Sequence, residues 1–247
     1  VGINHDKSYR PLRQERPPQY LETGAVYVMR VEGFLKARHR FFGKTALYEM
    51  PAERRLEIDD PVDFEVAEVL IRGQDSRQKI ERLPDTIAAL MLDFDGVFTD
   101  DKVYVSQDGG EVVRCSRSDG MGIGMLKKAG LPIWVLSTEV NPVVKARTGK
   151  LGIPCIQGLK DKGEALRQLL EEQGLDPAQI VYVGNDVNDL PCMELVGCAV
   201  AVADAHPAVL AQADLVLENI GGNGAIRELC DLILEKMEGT RFETRDS

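Results

Sequence analysis

The stretch LMLDFDGVFTD, residues 90–100, ends an apolar run with two carboxylates two positions apart, Asp93 and Asp95, followed by Gly96, Thr99 and Asp100. Carboxylates brought into one space can divide a reaction between them, one attacking as a nucleophile while the other gives and takes a proton. Acids after a strand are also ordinary turn and cap residues, so D-x-D alone decides nothing. The weight falls on which other residues reach the same place.

After Pro84 the chain alternates short apolar runs with segments of helical spacing. The runs are 87–94, 131–137, 153–156, 180–184, 198–203 and 214–218, and the helical segments are 119–129, 140–150, 161–173, 188–195, 206–212 and 223–237. This alternation predicts right-handed crossovers and a parallel sheet in a Rossmann-like, three-layer α/β sandwich. Sites in such sheets form beyond the C-terminal strand ends. There the sequence sets Ser137, Thr138 and Glu139 after the second run, Lys160, Asp161 and Lys162 after the third, and GNDVND, 184–189, after the fourth.

The order D-x-D-G, then Ser/Thr, then Lys, then G-x-D-x-x-D resembles the four motifs of the haloacid dehalogenase phosphatases, over about residues 85–238. The resemblance implies an aspartyl phosphate formed on Asp93, Asp95 as general acid and base, and a phosphate held by Ser137, with Thr138 beside it, and by Lys162. A helix start already disfavours a cation through its dipole, which argues against Lys162 as a merely solvated helix residue. Two carboxylates facing a phosphate dianion repel it, so a divalent cation is needed, and Mg²⁺ suits an all-oxygen site. In the family the metal is held by the first aspartate, the backbone carbonyl of the second, here Asp95, and an acid of the fourth motif. Asn185 stands where an aspartate is usual. Either Asp186 takes the metal, the reading we favour, or Asn185 offers an amide oxygen with Asp186 or Asp189 behind it; Asp93, Asp95, Asn185, Asp186 and Asp189 are thus the candidate metal residues. Gly96 lets the chain turn away, and Asp100 supports the loop that becomes a hairpin.

That hairpin is expected at 102–106 and 111–115, turning at Gln107 to Gly110. It leaves no room for a substrate-covering cap domain. Gly110, Glu111, Ser118, Asp119, Gly120, Gly122 and Ile123 carry a resemblance to the capless sugar-acid phosphatases, which act on 3-deoxy-manno-octulosonate 8-phosphate and on nonulosonate 9-phosphates. The likeness implies a homotetramer built through the hairpin, with a neighbouring subunit closing each site, and sets Gly120 on the substrate side. Glu139, in LSTEVNP, resembles the nonulosonate (sialic acid and KDN) branch and implies contact with substrate hydroxyls. The segment GGNGAIREL, 221–229, also recurs in the group and reads as a glycine loop and helix start packed on the sheet.

Residues 1–72 follow another pattern. RQERPPQYLETGAVYVMR, FFGKTALYEMP and RRLEIDDPVDFEVAE resemble the C-terminal portion of acylneuraminate cytidylyltransferases, in which Glu57 and Asp59 would help hold Mg²⁺. We expect an extended arm over 1–20, strands at 24–31 and 55–59, a helix at 60–71 begun by Asp60 and Pro61, a linker at 73–84 and a tail at 239–247. The loop that would bind CTP and the centre of that fold's sheet are absent from the sequence, so no cytidylyl transfer is expected of this chain. The pairing implies a bifunctional protein with a nonulosonate 9-phosphatase at its C-terminal end. The alternative is a cytidylyltransferase whose phosphatase-like part serves as a tetramerisation module.

Composition narrows the partners. The net charge is −10, and because residues 1–72 are balanced, the whole excess of acid lies in 73–247. Such a surface is a poor long-range attractor for nucleic acid. The 5 cysteines are scattered without a C-x-x-C pair, which points to neither disulfides nor zinc and suits a reducing cytoplasm. No apolar run approaches the ~20 residues of a bilayer span, so no membrane partner is expected.

Overall fold

The computed structural model describes residues 20–243, so the arm expected over 1–20 lies, Tyr20 apart, outside the described residues. Two compact units meet at Arg72 and Gly73 in the chain. In the first, helix α1 (Val31–Ala37) ends at Arg38, whose φ of 50° closes the last turn with an N–H bond to the Phe34 carbonyl. Arg40 pairs with Glu22 at 2.8 Å and lies 4.7 Å from the Tyr27 ring centroid. No described side chain between 20 and 72 is buried.

The strands expected at 24–31 and 55–59 do not form: 24–30 is irregular, Val31 opens α1, and 55–59 is unpaired. Val26 and Val28 are exposed. β-branched residues favour a strand only where a neighbouring strand and a core receive them, and these residues have neither. Helix α2 (Pro61–Glu81) begins as expected, with Asp60 Oδ1 accepting from the N–H groups of Val62 at 2.8 Å and Asp63 at 3.0 Å. It then continues through most of the expected linker at 73–84. Charged Gln-, Lys- and Arg-rich sequence is helix-forming, and Ile80 and Leu83 pack on the core while Lys79 pairs with Glu218 and Glu228 at 2.8 Å each.

All six apolar runs of the second unit become strands of one parallel sheet: β1 (Ala89–Leu92), β4 (Ile133–Leu136), β5 (Cys155–Ile156), β6 (Ile180–Gly184), β7 (Cys198–Ala201) and β8 (Leu215–Val216), in the order β5-β4-β1-β6-β7-β8. The hairpin β2 (Thr99–Val105) and β3 (Glu111–Cys115) stands outside that sheet. Helices α3 (Arg117–Lys128) and α4 (Pro142–Leu151) accompany chain travel toward β5. Helices α5 (Lys162–Gln173), α6 (Leu190–Met193) and α7 (Pro207–Gln212) accompany travel toward β8. Because each crossover is right-handed, the reversal puts the two sets on opposite faces. Their contacts agree: α3 packs on α4 and on α8 (Ala225–Glu243), and α6 on α5 and α7. Helix α8 runs on to Glu243, so the tail expected from 239 is helical at its start.

Strand β1 sits at the topological switch, with Leu92 opposite Val135 of β4 and Val183 of β6. Its four residues are buried, as are all five of β6, so the residues that follow are delivered side by side at one edge. No described helix is long and apolar enough to cross a membrane.

Close packing makes the fold sensitive at Gly197, where a Cβ would fall 1.9 Å from the Ala178 carbonyl oxygen. Gly197→Ala is expected to destabilise the protein by about 1–3 kcal/mol in urea unfolding. Gly124→Ala, in the interior of α3 with open space around it, should instead stabilise by about 0.4–1 kcal/mol.

Candidate active site

The loop after β1 is a tight turn built on its own backbone. The Asp93 N–H continues the sheet by donating to the Val183 carbonyl at 2.9 Å, and the Phe94 carbonyl accepts from Val97, Phe98 and Thr99. Gly96 has φ +71°, and a Cβ there would lie 1.8 Å from Asn185 Nδ2, so only glycine satisfies both the turn and the approach of Asn185. Thr99 Oγ1 accepts from the N–H groups of Gly96 at 3.1 Å and Asp101 at 3.3 Å. Asp100 pairs with Arg114 at 3.0 Å across the hairpin.

Lys162 is the first residue of α5, yet it points inward and is 2% exposed. Its Nζ lies 2.7 Å from Asp93 Oδ1 and 2.7 Å from Asp189 Oδ1. Tyr182, wholly buried in β6, donates its hydroxyl to Asp189 Oδ1 at 2.7 Å. Asp189 Oδ2 accepts from the N–H groups of Asn185 at 2.8 Å and Asp186 at 3.2 Å. Both oxygens of Asp189 are thus filled, which is all that a carboxylate accepts. This corrects its inclusion among the metal ligands: Asp189 holds Lys162 and the GNDVND turn.

The charges shift one another. Burial, and then Asp189, push the Asp93 carboxyl up to about 8, against the pull of Lys162. Burial would lower Lys162, but Asp93 and Asp189 outweigh it and raise the ammonium further. Asp95 is raised by burial and then by Glu139, and Asp101 by burial and then by Asp186, Asp204 and Asp100. The edge therefore holds more negative charge than Lys162 balances, and the surplus sits on hard oxygen donors.

Among the described residues no three His, Cys, Asp or Glu side chains gather into a closed metal cage. Mg²⁺ takes one or two carboxylates, with waters and carbonyl oxygens completing its shell. Asp93, the Asp95 carbonyl and one residue of the GNDVND turn fit such an ion. Asn185 lies against Gly96, whereas Asp186 is exposed and accepts from its neighbour Val187 at 2.7 Å. The packing favours Asn185 over Asp186 as the donor beside the D-x-D-G loop.

Ser137 follows β4, the neighbour of β1. It is buried, and its Oγ accepts from the Glu139 N–H at 3.0 Å, leaving the hydroxyl proton for an anion. Thr138 is exposed. Glu139 Oε1 closes its own turn by accepting from Val140 and Asn141, while the residue also lines a cleft of about 200 Å³ with Asp95, Asp101, Lys102 and Glu111. Asn141 begins α4 and donates to Glu111 at 2.7 Å, fixing one wall. Gly120 is not in this cleft: a Cβ there would meet Arg147 and Leu151, so its small size serves the packing of α3 on α4.

Tyr182 was not legible as part of the site. The one signal was a hydroxyl within the otherwise apolar run IVYVG, since a buried tyrosine needs a partner for its O–H.

Comparison with known proteins places the fold in a family. The haloacid dehalogenase-like hydrolase model matches residues 150–229. The 3-deoxy-D-manno-octulosonate 8-phosphate phosphatase of Escherichia coli is 39% identical over 151 residues, covering 61% of this chain and 80% of that protein. A HAD family hydrolase from Streptomyces avermitilis superposes with a TM-score of 0.60 at 53% identity, over 62% of this chain and 87% of that one. The Moraxella catarrhalis 3-deoxy-D-manno-octulosonate 8-phosphate phosphatase, solved with magnesium, phosphate and KDO, does so with 0.62 at 28% identity, over 70% and 98%. The chain belongs to the haloacid dehalogenase-like hydrolases and is a phosphomonoesterase of that family. N-acylneuraminate cytidylyltransferase A of Danio rerio is 31% identical over 253 residues, covering 98% of this chain, which spans 56% of that relative's length.

Three outcomes follow. Asp93, raised from 3.8 to about 8, contributes stability that is complete below its unfolded value and is lost as pH rises through about 8. The metal-free protein should therefore lose melting temperature between pH 5 and 8, with Asp93→Asn flattening the decline. Added Mg²⁺ should raise the melting temperature more at pH 8 than at pH 5.5. In Lys162→Met the buried Asp93 and Asp189 lose their cation, and urea unfolding should show a loss of about 3–5 kcal/mol.

Proposed function

We propose that this chain is a Mg²⁺-dependent phosphatase that hydrolyses a nonulosonate 9-phosphate through an aspartyl phosphate on Asp93, as the C-terminal part of a bifunctional protein. The observation that carries the reading is the buried Lys162, held 2.7 Å from both Asp93 and Asp189 where β1, β4 and β6 end together. A buried lysine beside two carboxylates at the end of a strand is the arrangement by which a cation is held ready for a bound anion.

Phe94 N–H and Lys162 both engage Asp93 Oδ1, which leaves Oδ2 to attack phosphorus. As the P–O ester bond breaks, Asp95, raised by burial and Glu139, gives its proton to the departing alcohol. The same carboxylate then takes a proton from water, whose oxygen attacks phosphorus and frees Asp93. Lys162 and the Ser137 hydroxyl hold the phosphoryl oxygens throughout. When bound, Mg²⁺ neutralises the charge shared by Asp93 and the phosphate and lets Asp93 ionise.

The substrate assignment rests on the cleft beside Asp95. Glu139 and Glu111 face it and can accept from sugar hydroxyls, and Lys102 supplies a cation for a carboxylate. The match to N-acylneuraminate cytidylyltransferase A across nearly the whole chain makes a nonulosonate the sugar acid of choice. We further propose that 1–72 is the C-terminal fragment of such a transferase, that a homotetramer forms through the hairpin, whose exposed Tyr104 and Val112 are paired across it on one face, and that the enzyme works in the cytoplasm. The same match favours a second reading, a cytidylyltransferase whose phosphatase-like unit only assembles it.

A panel of nonulosonate 9-phosphates and 3-deoxy-manno-octulosonate 8-phosphate, assayed with Mg²⁺ and with chelator, separates these readings. Phosphate release should need Mg²⁺ and favour the nonulosonate, and Asp93→Asn should lower kcat by at least about 10³-fold. An Asp93→Asn chain with normal turnover sinks the nucleophile assignment; a stable tetramer without phosphatase activity supports the assembly role.

A further inference from the structure

We propose that the Gly221–Gly222 turn is a positioning element for catalysis, fixing where Asp95 stands relative to Asp93. This rests on the assignment of Asp93 as nucleophile and Asp95 as general acid. The turn lies directly on the backbone that follows Asp95: a Cβ on Gly221 would fall 1.8 Å from the Gly96 carbonyl oxygen, and one on Gly222 2.5 Å from the Thr99 carbonyl carbon. The Gly222 N–H donates to the Val97 carbonyl at 3.0 Å. Gly96 is pressed from its other side by Asn185, whose Nδ2 lies 1.8 Å from where a Cβ would stand. Neither Gly221 nor Gly96 has room for a Cβ, so the peptide next to Asp95 is packed closely against both the glycine turn and Asn185.

The turn itself is tethered by two acids with no place in the reaction. Asp204 Oδ1 accepts the Gly221 N–H at 3.0 Å. Asp119, 1% exposed on α3, accepts from the N–H group of Arg227 at 2.9 Å, and so fixes the start of α8 just beyond the turn. Helix α3, the glycine turn and the D-x-D-G loop thus form one mechanical chain, which gives the buried acid of the SDG segment a purpose.

A displaced Asp95 fails first at protonating the leaving group, and a leaving group that needs no proton is insensitive to it. The test is kcat/KM of the full chain with saturating Mg²⁺ on two substrates, a sugar phosphate and p-nitrophenyl phosphate. In Gly221→Ala the sugar phosphate should lose about 10²-fold and p-nitrophenyl phosphate less than about fivefold. Because a side chain at 221 has no space, Asp204→Ala serves as the second variant. It releases the Gly221 N–H without adding an atom, and about a tenfold loss confined to the sugar phosphate is expected. Equal losses on both substrates, or none in either variant, overturn the proposal while leaving the phosphatase reading intact. A wild-type chain that hydrolyses neither substrate overturns both.

Discussion

One buried ammonium organises the second unit. Lys162 has been taken out of water at a helix start, where both desolvation and the helix dipole oppose a cation. The arrangement holds because Asp93 and Asp189 each approach to 2.7 Å and Tyr182 and two backbone N–H groups satisfy the rest of Asp189. Remove Lys162 and two carboxylates are left in the core without a cation. The pairing also ties α5, β6, the GNDVND turn and the end of β1 to one point, so the fold cannot close without assembling the phosphate-facing edge.

From that point the chemistry spreads outward along a gradient of solvent access. Asp93, the proposed nucleophile, lies deep, Asp95, the proposed acid, at the half-buried edge, and Glu139, Glu111 and Lys102 at the open cleft. Depth matches the role of each group. A desolvated carboxylate attacks well once it is ionised, a half-buried one can exchange its proton with water, and the hydrated rim can adapt to hydroxyls. The negative excess along this edge is what a divalent cation requires and what a phosphate dianion alone would avoid.

Much of this was legible from residue order. Six apolar runs became six strands because parallel strands buried on both faces read as continuous hydrophobic sequence, and Asp93, Asp95, Ser137 and Lys162 fell at their ends as the topology demands. What escaped depended on contacts distant in sequence. The VYVMRV and RLEID segments looked like strands because propensity is local, whereas a sheet is not. The Lys- and Arg-rich stretch after Arg72 looked like a linker, although Ile80 and Leu83 in it find a core. Asp189 looked like a metal ligand because its saturation by Tyr182 and Lys162 cannot be read along the chain, and Gly120 looked like a substrate contact when it makes room for Arg147 and Leu151.

The first unit has no buried side chain among its described residues, and the second gathers charge in its deepest layer. A unit kept only to assemble a larger protein would gain stability from apolar residues of similar volume in place of Asp93, Lys162 and Asp189, as buried ion clusters generally do. Under the proposed phosphatase reading, the buried charges are the cost of a site that must hold and release an anion at that edge.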